Sequence, residues 1–307
     1  MTGEVLYGIN SIYMVLAGET LLRCRIKGKK LKEARRSYNP IAPGDLVEVT
    51  PDELSPKEGM ISELILRRTS LVRWNKKGRA PQILAANADL AVCVTSPSAP
   101  PFRPRFIDRL IVAAETGGLT PLVVLNKNDL QHREEVSERL SHYKRMGYRV
   151  LPCSTRTGEG LGELAGMLRG RTAVFVGQSG VGKSSLLNAL APGVDLRVGE
   201  LSQKHDRGNH TTNFSVLLPL ESGLRIIDTP GIRELELAEV LPEEVGFHFR
   251  DFAPHMQSCS FQPCLHDEEP HCAVAAAVGR GEIHHDRYES YLRIIRELRE
   301  TRNASHG

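Results

Sequence analysis

The stretch Gly177-Gln178-Ser179-Gly180-Val181-Gly182-Lys183-Ser184 decides the fold class of this chain. It matches the phosphate-loop pattern G-x-x-x-x-G-K-[ST], follows an apolar strand-like run over 172–176 and opens a predicted helix over 184–190. Glycines let the backbone N–H groups wrap around phosphates, while Lys183 can reach the β and γ phosphates and Ser184 can ligate Mg²⁺. The alternative is an accidental glycine-rich turn, which the strand-loop-helix context disfavours. We therefore predict that these eight residues and the adjoining Ser185 bind a nucleotide.

Three further short motifs each follow a strand-like run. Asn126-Lys127-Asn128-Asp129 comes after 121–125, and an aspartate there can accept the N1–H and 2-amino protons of guanine, which adenine lacks. A backbone N–H near Ser154 could meet the guanine O6. Asp228 could hold Mg²⁺ through water, and the N–H of Gly231 could meet the γ phosphate. Each motif alone is more often a loop or turn, but together at the carboxyl ends of strands in one sheet they indicate a GTPase.

The order of these motifs along the chain is unusual. The base-recognition motif comes first and the phosphate loop follows it, whereas ordinary small GTPases begin with the phosphate loop. Strand-like runs alternate with predicted helices over 105–115, 134–146 and 161–168, which predicts a parallel sheet with helices on both faces. We therefore predict a circularly permuted α/β domain, a rearrangement that nearby termini tolerate.

Different patterns flank this central region. Residues 4–72 contain five short strand-like segments separated by turn residues, which predicts a small β-barrel. From about residue 238 the chain is rich in Cys and His, and an amphipathic helix is predicted over 285–301. A length of 307 residues favours two or three domains at roughly 150 residues each. We predict a multidomain α/β protein with domains at 1–75, 76–237 and 238–307.

Composition excludes several other classes of protein. With 40% hydrophobic and 25% charged residues, the chain is neither collagen-like nor fully disordered. Apolar runs stop far short of the roughly 18 residues that a membrane-spanning helix needs, and no targeting segment is visible. We expect a cytoplasmic protein, in which the six cysteines are free thiols or metal ligands.

On these motifs the chain resembles, over nearly its whole length, the circularly permuted GTPases called ribosome small subunit-dependent GTPase A. The resemblance implies an N-terminal oligonucleotide/oligosaccharide-binding (OB) barrel, which fits the strand-rich residues 4–72. It also implies a zinc motif, C-x4-C-x-H-x5-C, whose positions are occupied here by Cys259, Cys264, His266 and Cys272. Three thiolates and one imidazole are typical of a closed structural site for one Zn²⁺. The alternatives are unligated surface thiols, or His271 as a rival ligand.

The resemblance further implies a switch segment with a Gly-x-His-Thr-Thr core, matched from Gly208 to Thr212. Either Thr211 or Thr212 would complete Mg²⁺ coordination beside Ser184 and Asp228 when GTP is bound, and the sequence does not select between them. Asn209 and Asn213 depart from the family pattern in this segment.

The sequence lacks one residue that GTP hydrolysis often uses. Ile232 stands where many GTPases have a water-orienting glutamine. By resemblance, His210 is the candidate for that role, with Lys183 and the two threonines as the other catalytic candidates. The alternative for His210 is a solvated loop histidine.

Two basic runs lie in or beside the predicted barrel. Eight Lys and Arg residues against the single acid Glu33 fall within 23–36, and six with no acid fall within 67–79, together with the only tryptophan, Trp74. Such runs are usually solvated faces, and Trp74 can be a packing residue at a domain junction. On an OB barrel the same residues could form a groove for an RNA backbone.

By this resemblance, the predicted function is that of a monomeric GTPase that binds the small ribosomal subunit and its rRNA. It would hydrolyse GTP as a late maturation checkpoint, slowly alone and faster on the subunit. One alternative is a GTP-gated switch that binds non-ribosomal RNA. Another is an ATP-dependent enzyme with a zinc module, which requires the match at 126–129 to be accidental.

Overall fold

The computed structural model describes residues 1–28, 37–191, 214–220 and 223–306, with side chains described as far as residue 301. These residues form an N-terminal barrel, a central six-stranded sheet with helices on both faces, and a C-terminal helical region. Within them no helix has the length and apolar character that crossing a membrane requires. The predicted three-part architecture is confirmed.

The barrel is closed by five strands in the order β1-β2-β3-β5-β4, with β1 paired to β4. The strands are β1 (Thr2–Ile9), β2 (Ile12–Ala17), β3 (Thr20–Ile26), β4 (Leu46–Pro51) and β5 (Glu58–Leu64). Alternate side chains point inward, as the period of two in a strand requires. The fully buried interior residues include Val5, Val15, Cys24, Val47 and Ile61.

A two-stranded hairpin follows the barrel, and the sequence did not predict it. It consists of β6 (Ser70–Asn75) and β7 (Ala80–Ala86). The side chain of Asn39, in the segment before β4, bonds to both the N–H and the C=O of Ile83. On the other strand, the N–H of Trp74 donates to the C=O of Glu236 at 2.9 Å. The hairpin thus joins the barrel to the central domain, and the predicted boundary after residue 75 falls in its turn.

Some side chains of the second basic run, in and just before the hairpin, bind to other parts of the protein. The guanidinium of Arg67 is almost fully buried and donates two 2.6 Å hydrogen bonds to the carboxylate of Asp45. Arg73 donates to the side chain of Gln82. Half-buried Trp74 lines a cleft of about 860 Å³ between the hairpin and the C-terminal helix. Arg67 and Arg73 are therefore held by protein partners.

The central sheet has the strand order β10-β9-β8-β11-β13-β12. Its strands are β8 (Leu90–Thr95), β9 (Thr120–Leu125), β10 (Arg149–Pro152), β11 (Thr172–Gly177), β12 (Val216–Pro219) and β13 (Arg225–Asp228). All neighbours pair in parallel except β12, which runs antiparallel to β13. The expectation of a wholly parallel sheet is therefore wrong at this edge, because only five residues connect β12 to β13 and a parallel crossover needs about a dozen.

Four helices cover the two faces of this sheet. They are α1 (Pro104–Thr116), α2 (Glu134–Arg145), α3 (Leu161–Leu168) and α4 (Lys183–Leu190). Leucines of α3 and α4 pack on one face together with Phe175 of β11. On the other face α1 and α2 share a core with the C-terminal region. Helices on both faces, as predicted, leave the carboxyl ends of the strands open for ligands.

The C-terminal region is a set of short helices followed by one long helix. They are a 3₁₀ helix (Pro242–His248), α5 (Ala253–Met256), α6 (Ala273–Gly279) and α7 (His285–His306). Tyr291, Leu292 and Ile295 of α7 are buried in the core shared with α1. The predicted helix over 285–301 is confirmed and extends to residue 306.

A buried ionic network joins α7 to the central domain. The carboxylate of Asp108, with 0% exposure, accepts hydrogen bonds from Arg287 at 2.6 Å, Arg139 at 2.8 Å and the Tyr143 hydroxyl at 2.7 Å. The Arg287 Nε also donates to both oxygens of Asp251. Two arginines and two aspartates thus compensate each other away from water, which such charges require.

Replacing Asp108 by Asn should lower the free energy of unfolding by about 3 kcal/mol or more. Arg287 would then keep only Asp251, and buried Arg139 would keep only a 3.8 Å contact with partly exposed Asp286. Urea denaturation measures the change. Glu297→Gln is the matched control, since Glu297 pairs with Arg109 at an exposed edge and such pairs contribute less than about 1 kcal/mol. Equal effects of the two substitutions would show that the buried network does not stabilise the fold.

Candidate functional site

The phosphate loop connects β11 to α4 at the open edge of the sheet. Gly182 caps the N-terminus of α4 at φ +90°, a left-handed conformation that favours glycine. A Cβ on Gly182 would lie 2.4 Å from Nδ2 of Asn126, so a side chain would also collide with the neighbouring motif. The loop therefore packs closely against the residues that follow β9.

Lys183 lies at the base of this loop. Its Nζ donates to the C=O of Gly177 at 2.9 Å, and the residue is 8% exposed. Burial lowers the pKa of Lys183, and the nearby Asp228 carboxylate opposes that shift. Ser184 and Ser185 lie in the first turn of α4 and are exposed. A buried ammonium beside the backbone N–H groups of a glycine-rich loop can bind the phosphates of a nucleotide.

Asp228 ends β13 beside the phosphate loop. Burial raises the pKa of its carboxyl to about 6, and the charge of Lys183 only partly offsets this effect. Its Oδ1 is buried and has no hydrogen-bond partner among the described residues. A buried carboxylate oxygen without a partner fits a site for a hard cation such as Mg²⁺, bound directly or through water.

The backbone after Asp228 packs directly on the phosphate loop. Thr229 donates its hydroxyl to the C=O of Phe175, and the N–H of Ile232 donates to the C=O of Gly177. A Cβ on Gly231 would lie 3.2 Å from three atoms of Ser179, so a larger residue would displace the loop. The side chain of Ile232 is 3% exposed and apolar, so it cannot orient a water molecule.

The motif after β9 is tied to the phosphate loop by two side chains. Asn126 is buried and donates from Nδ2 to the C=O of Val181 at 2.9 Å. The Nζ of Lys127 donates to the C=O of Ala99 and of Gly180, both at 2.6 Å. These bonds hold the two loops together, so the positions of the base-recognition and phosphate-binding parts of the site are fixed relative to each other.

The carboxylate of Asp129 is held by two donors from the loop after β10. Ser154 donates from its hydroxyl to Oδ1 at 2.5 Å, and Arg156 donates from Nε to Oδ2 at 2.7 Å. These two hydrogen bonds lower the pKa of Asp129, the larger effect coming from Ser154. In the same loop, Glu159 accepts two bonds from Nδ2 of Asn128. The predicted base-recognition residues therefore lie together.

Arg156 and Glu159 are site residues that sequence reasoning missed. Both lie within the segment after β10 that the sequence singled out, but only Ser154 was selected there. The available signal was the pair of opposite charges at Arg156 and Glu159. These two residues could have been matched with the aspartate and the asparagine of the base-recognition motif.

Cys259, Cys264, His266 and Cys272 form a group that could hold a metal ion, with their ligand atoms all within 4.8 Å of one another. Nδ1 of His266 lies 3.5 Å from Sγ of Cys259 and 3.4 Å from Sγ of Cys272, and the two sulfurs are 4.0 Å apart. Tetrahedral zinc with bonds of about 2.3 Å to sulfur places two sulfurs about 3.8 Å apart.

The surroundings of the cluster favour a closed metal site. His266 is 2% exposed, whereas the rival His271 is exposed and is not part of the group. Desolvation raises the pKa of Cys272, so without a cation its sulfur would be held as a thiol. The donor set and its spacing therefore fit zinc.

The switch residues lie outside the described residues. These are Gly208, Asn209, His210, Thr211, Thr212 and Asn213. The roles expected for His210 and for either threonine therefore remain predictions.

Comparisons with known proteins agree with this geometry. A family model described as RsgA GTPase matches residues 64–238. The "Small ribosomal subunit biogenesis GTPase RsgA" of Caldanaerobacter subterraneus subsp. tengcongensis is 39% identical over 298 residues, which are 97% of this chain and 96% of that protein. The protein of the same name from Chlorobaculum tepidum is 40% identical over 308 residues, 98% of this chain and 99% of that protein.

Solved structures show the same architecture along the whole chain. YjeQ from Thermotoga maritima superposes with a TM-score of 0.73 at 32% identity, covering 97% of this chain and 98% of that one. YloQ, described as a circularly permuted GTPase, has a TM-score of 0.67 at 29% identity and covers 97% and 95%. The predicted circular permutation and GTPase fold are confirmed, and the chain belongs to the RsgA GTPase family.

Proposed function

We propose that this chain hydrolyses GTP on the small ribosomal subunit, as a checkpoint late in subunit maturation. The observation that carries the GTP part is the carboxylate of Asp129, held with both oxygens oriented and joined through Asn126 and Lys127 to the phosphate loop. The subunit part is supported by the relatives, whose printed name is small ribosomal subunit biogenesis GTPase.

Within this proposal, each part of the site has a separate task. The backbone of residues 177–182 and Lys183 bind the phosphates, and Asp129 and Ser154 recognise guanine. Mg²⁺ supplied with GTP neutralises charge on the β and γ phosphates. Ser184 and Asp228 would hold that ion, together with Thr211 or Thr212. Gly231 lies on Ser179, where its N–H can respond to a γ phosphate.

The cysteine and histidine group is proposed to bind one structural Zn²⁺. Its ligands would be Cys259, Cys264, His266 and Cys272, a closed set without an open position for catalysis. Such a site would hold the segment before α6 against α7, where Tyr288 donates its hydroxyl to the C=O of His266 at 2.7 Å.

Binding to rRNA is proposed for the barrel, working as part of a cytoplasmic monomer. Arg23 and Arg25 point outward from β3, and β3 leads into the rest of the first basic run. Phosphate contacts by such residues make affinity for RNA depend steeply on salt. The run at 67–79 contributes less, because Arg67 and Arg73 are bound to Asp45 and Gln82.

The small subunit should accelerate hydrolysis by this protein. Buried Ile232 cannot position the attacking water, so we expect slow turnover until a partner places another residue beside that water. His210 is the candidate for this residue. Single-turnover hydrolysis at saturating GTP, with and without purified small subunits, tests this for the parent and for His210→Ala.

The matched control is His205→Ala, a second histidine of the same segment. We expect subunits to stimulate the parent and the control alike, and His210→Ala at least about 100-fold less, the range that positioned proton transfer or water orientation supplies. Absence of stimulation in the parent would refute the ribosomal role. Full stimulation of His210→Ala would refute the role of the histidine alone.

A further inference from the structure

Arg156 lies outside the phosphate loop and the motif at 126–129, yet it contacts the Asp129 carboxylate directly and also through Ser154. Its Nε donates directly to Oδ2 of Asp129 at 2.7 Å. Its backbone N–H donates at 3.2 Å to the hydroxyl of Ser154, which in turn donates to Oδ1 of the same carboxylate. The Arg156 side chain is 71% exposed, whereas that of Asp129 is 9% exposed.

We propose that Arg156 is a positioning residue that determines guanine specificity by fixing the plane of the Asp129 carboxylate. The inference rests on the proposed binding of GTP at this site. Arg156 acts through Asp129, so its substitution should change discrimination between purines that differ at the edge facing that carboxylate.

The geometry explains why two anchors matter. Each carboxylate oxygen can accept about two hydrogen bonds, so one fixed donor per oxygen leaves one acceptor position on each. With only Ser154 bound, the carboxylate can rotate about its Cβ–Cγ bond. With Arg156 bound as well, that rotation stops and both remaining positions are oriented before the base arrives.

Guanine uses both of those positions, since it presents N1–H and a 2-amino group side by side. Hypoxanthine has N1–H but no 2-amino group, so it needs only one of them. An oriented carboxylate should therefore favour guanine over hypoxanthine. Stacking of the guanidinium on the ring, or attraction to the phosphates, would favour both bases equally.

The charge of Arg156 adds an independent signature. Its hydrogen bond and that of Ser154 lower the pKa of Asp129, so the ionised acceptor persists to lower pH. Without Arg156 the pKa of Asp129 rises. Loss of GDP binding on acidification should then begin at a higher pH than in the parent.

The test compares dissociation constants for GDP and IDP, the inosine analogue, in the full-length protein. The variants are Arg156→Ala and Arg156→Gln, with Arg169→Ala, an exposed arginine after α3, as the matched control. Arg156→Ala should weaken GDP binding about fivefold, the equivalent of one hydrogen bond, and IDP binding less than about twofold. Arg156→Gln should recover part of the preference, because its amide can donate to the same oxygen.

Equal weakening of GDP and IDP binding would overturn the proposal. So would an unchanged ratio of the two dissociation constants together with an unchanged pH at which GDP binding is lost. Measurements with ADP separate this failure from failure of the proposed function. A parent protein that binds GDP no better than ADP lacks guanine recognition altogether, which overturns both. A parent that prefers GDP, combined with an Arg156→Ala variant of unaltered selectivity, overturns only the role of Arg156.

Discussion

Asp129→Asn is expected to transfer the nucleotide preference of this protein from guanine to xanthine. The carboxylate that can accept N1–H and the 2-amino group becomes an amide, whose NH₂ would face another donor on guanine. Xanthine carries an oxygen at that position and restores a donor–acceptor pair. Because a buried polar mismatch costs far more than a lost contact, GDP affinity should fall by at least about 100-fold.

Competition between GDP and XDP for the purified protein measures this inversion. The structure strengthens the expectation, because the present carboxylate already accepts from Ser154 and Arg156, and an amide nitrogen can accept from neither. Asp52→Asn is the matched control, since Asp52 lies in a barrel turn where its Oδ1 accepts from the backbone of Leu54 and Ser55. Unchanged GDP affinity in Asp129→Asn would refute the assignment of this residue.

Cys259→Ser is expected to abolish metal binding and to unfold the segment between α5 and α6. Few regular hydrogen bonds hold residues 257–272, so metal binding would supply much of their folding free energy, about 10–16 kcal/mol in zinc-dependent peptides. Elemental analysis should find one zinc per chain in the parent and none in the variant. Thermal denaturation should show a loss of stability far beyond that of an ordinary core substitution.

Two controls isolate the metal site. Cys24→Ser alters a buried cysteine of the barrel and should keep one zinc per chain. His271→Ala should also keep it, because His271 is exposed and is not part of the four-residue group. Zinc lost from His271→Ala would identify the rival ligand instead. A parent purified without chelator and free of zinc would refute the site.

Local patterns in the sequence accounted for most of the secondary structure. The helix predicted over 161–168 and the strand predicted over 172–176 match the observed elements to within one residue. Such elements follow from the periodicity of apolar residues and from glycine and proline at their ends. Both signals depend only on residues that are close together in the chain. The nucleotide motifs could be identified for the same reason, since a phosphate loop requires particular residue types at adjacent positions.

The hairpin β6–β7 could not be predicted from such local patterns. Its strands carry the polar and basic residues Arg73, Asn75 and Gln82, so they lack the apolar alternation that marks a strand. They are stabilised by partners far along the chain, including Asn39 and the backbone of Glu236. The antiparallel direction of the edge strand β12 was not predicted for a similar reason, because strand direction depends on the connection and not on composition.

By itself, the sequence determined the three-part architecture, the permuted order of the nucleotide motifs and the three cysteines of the candidate metal site. Only the tertiary structure decided that Arg156 anchors Asp129, that Arg287 joins α7 to Asp108, and that His266 rather than His271 faces the sulfurs. The physical reason is the range of the interactions. Periodicity and loop motifs arise from residues a few positions apart. A buried charge instead finds its partner wherever packing brings one within hydrogen-bond distance, and for Arg287 that partner lies 179 positions away.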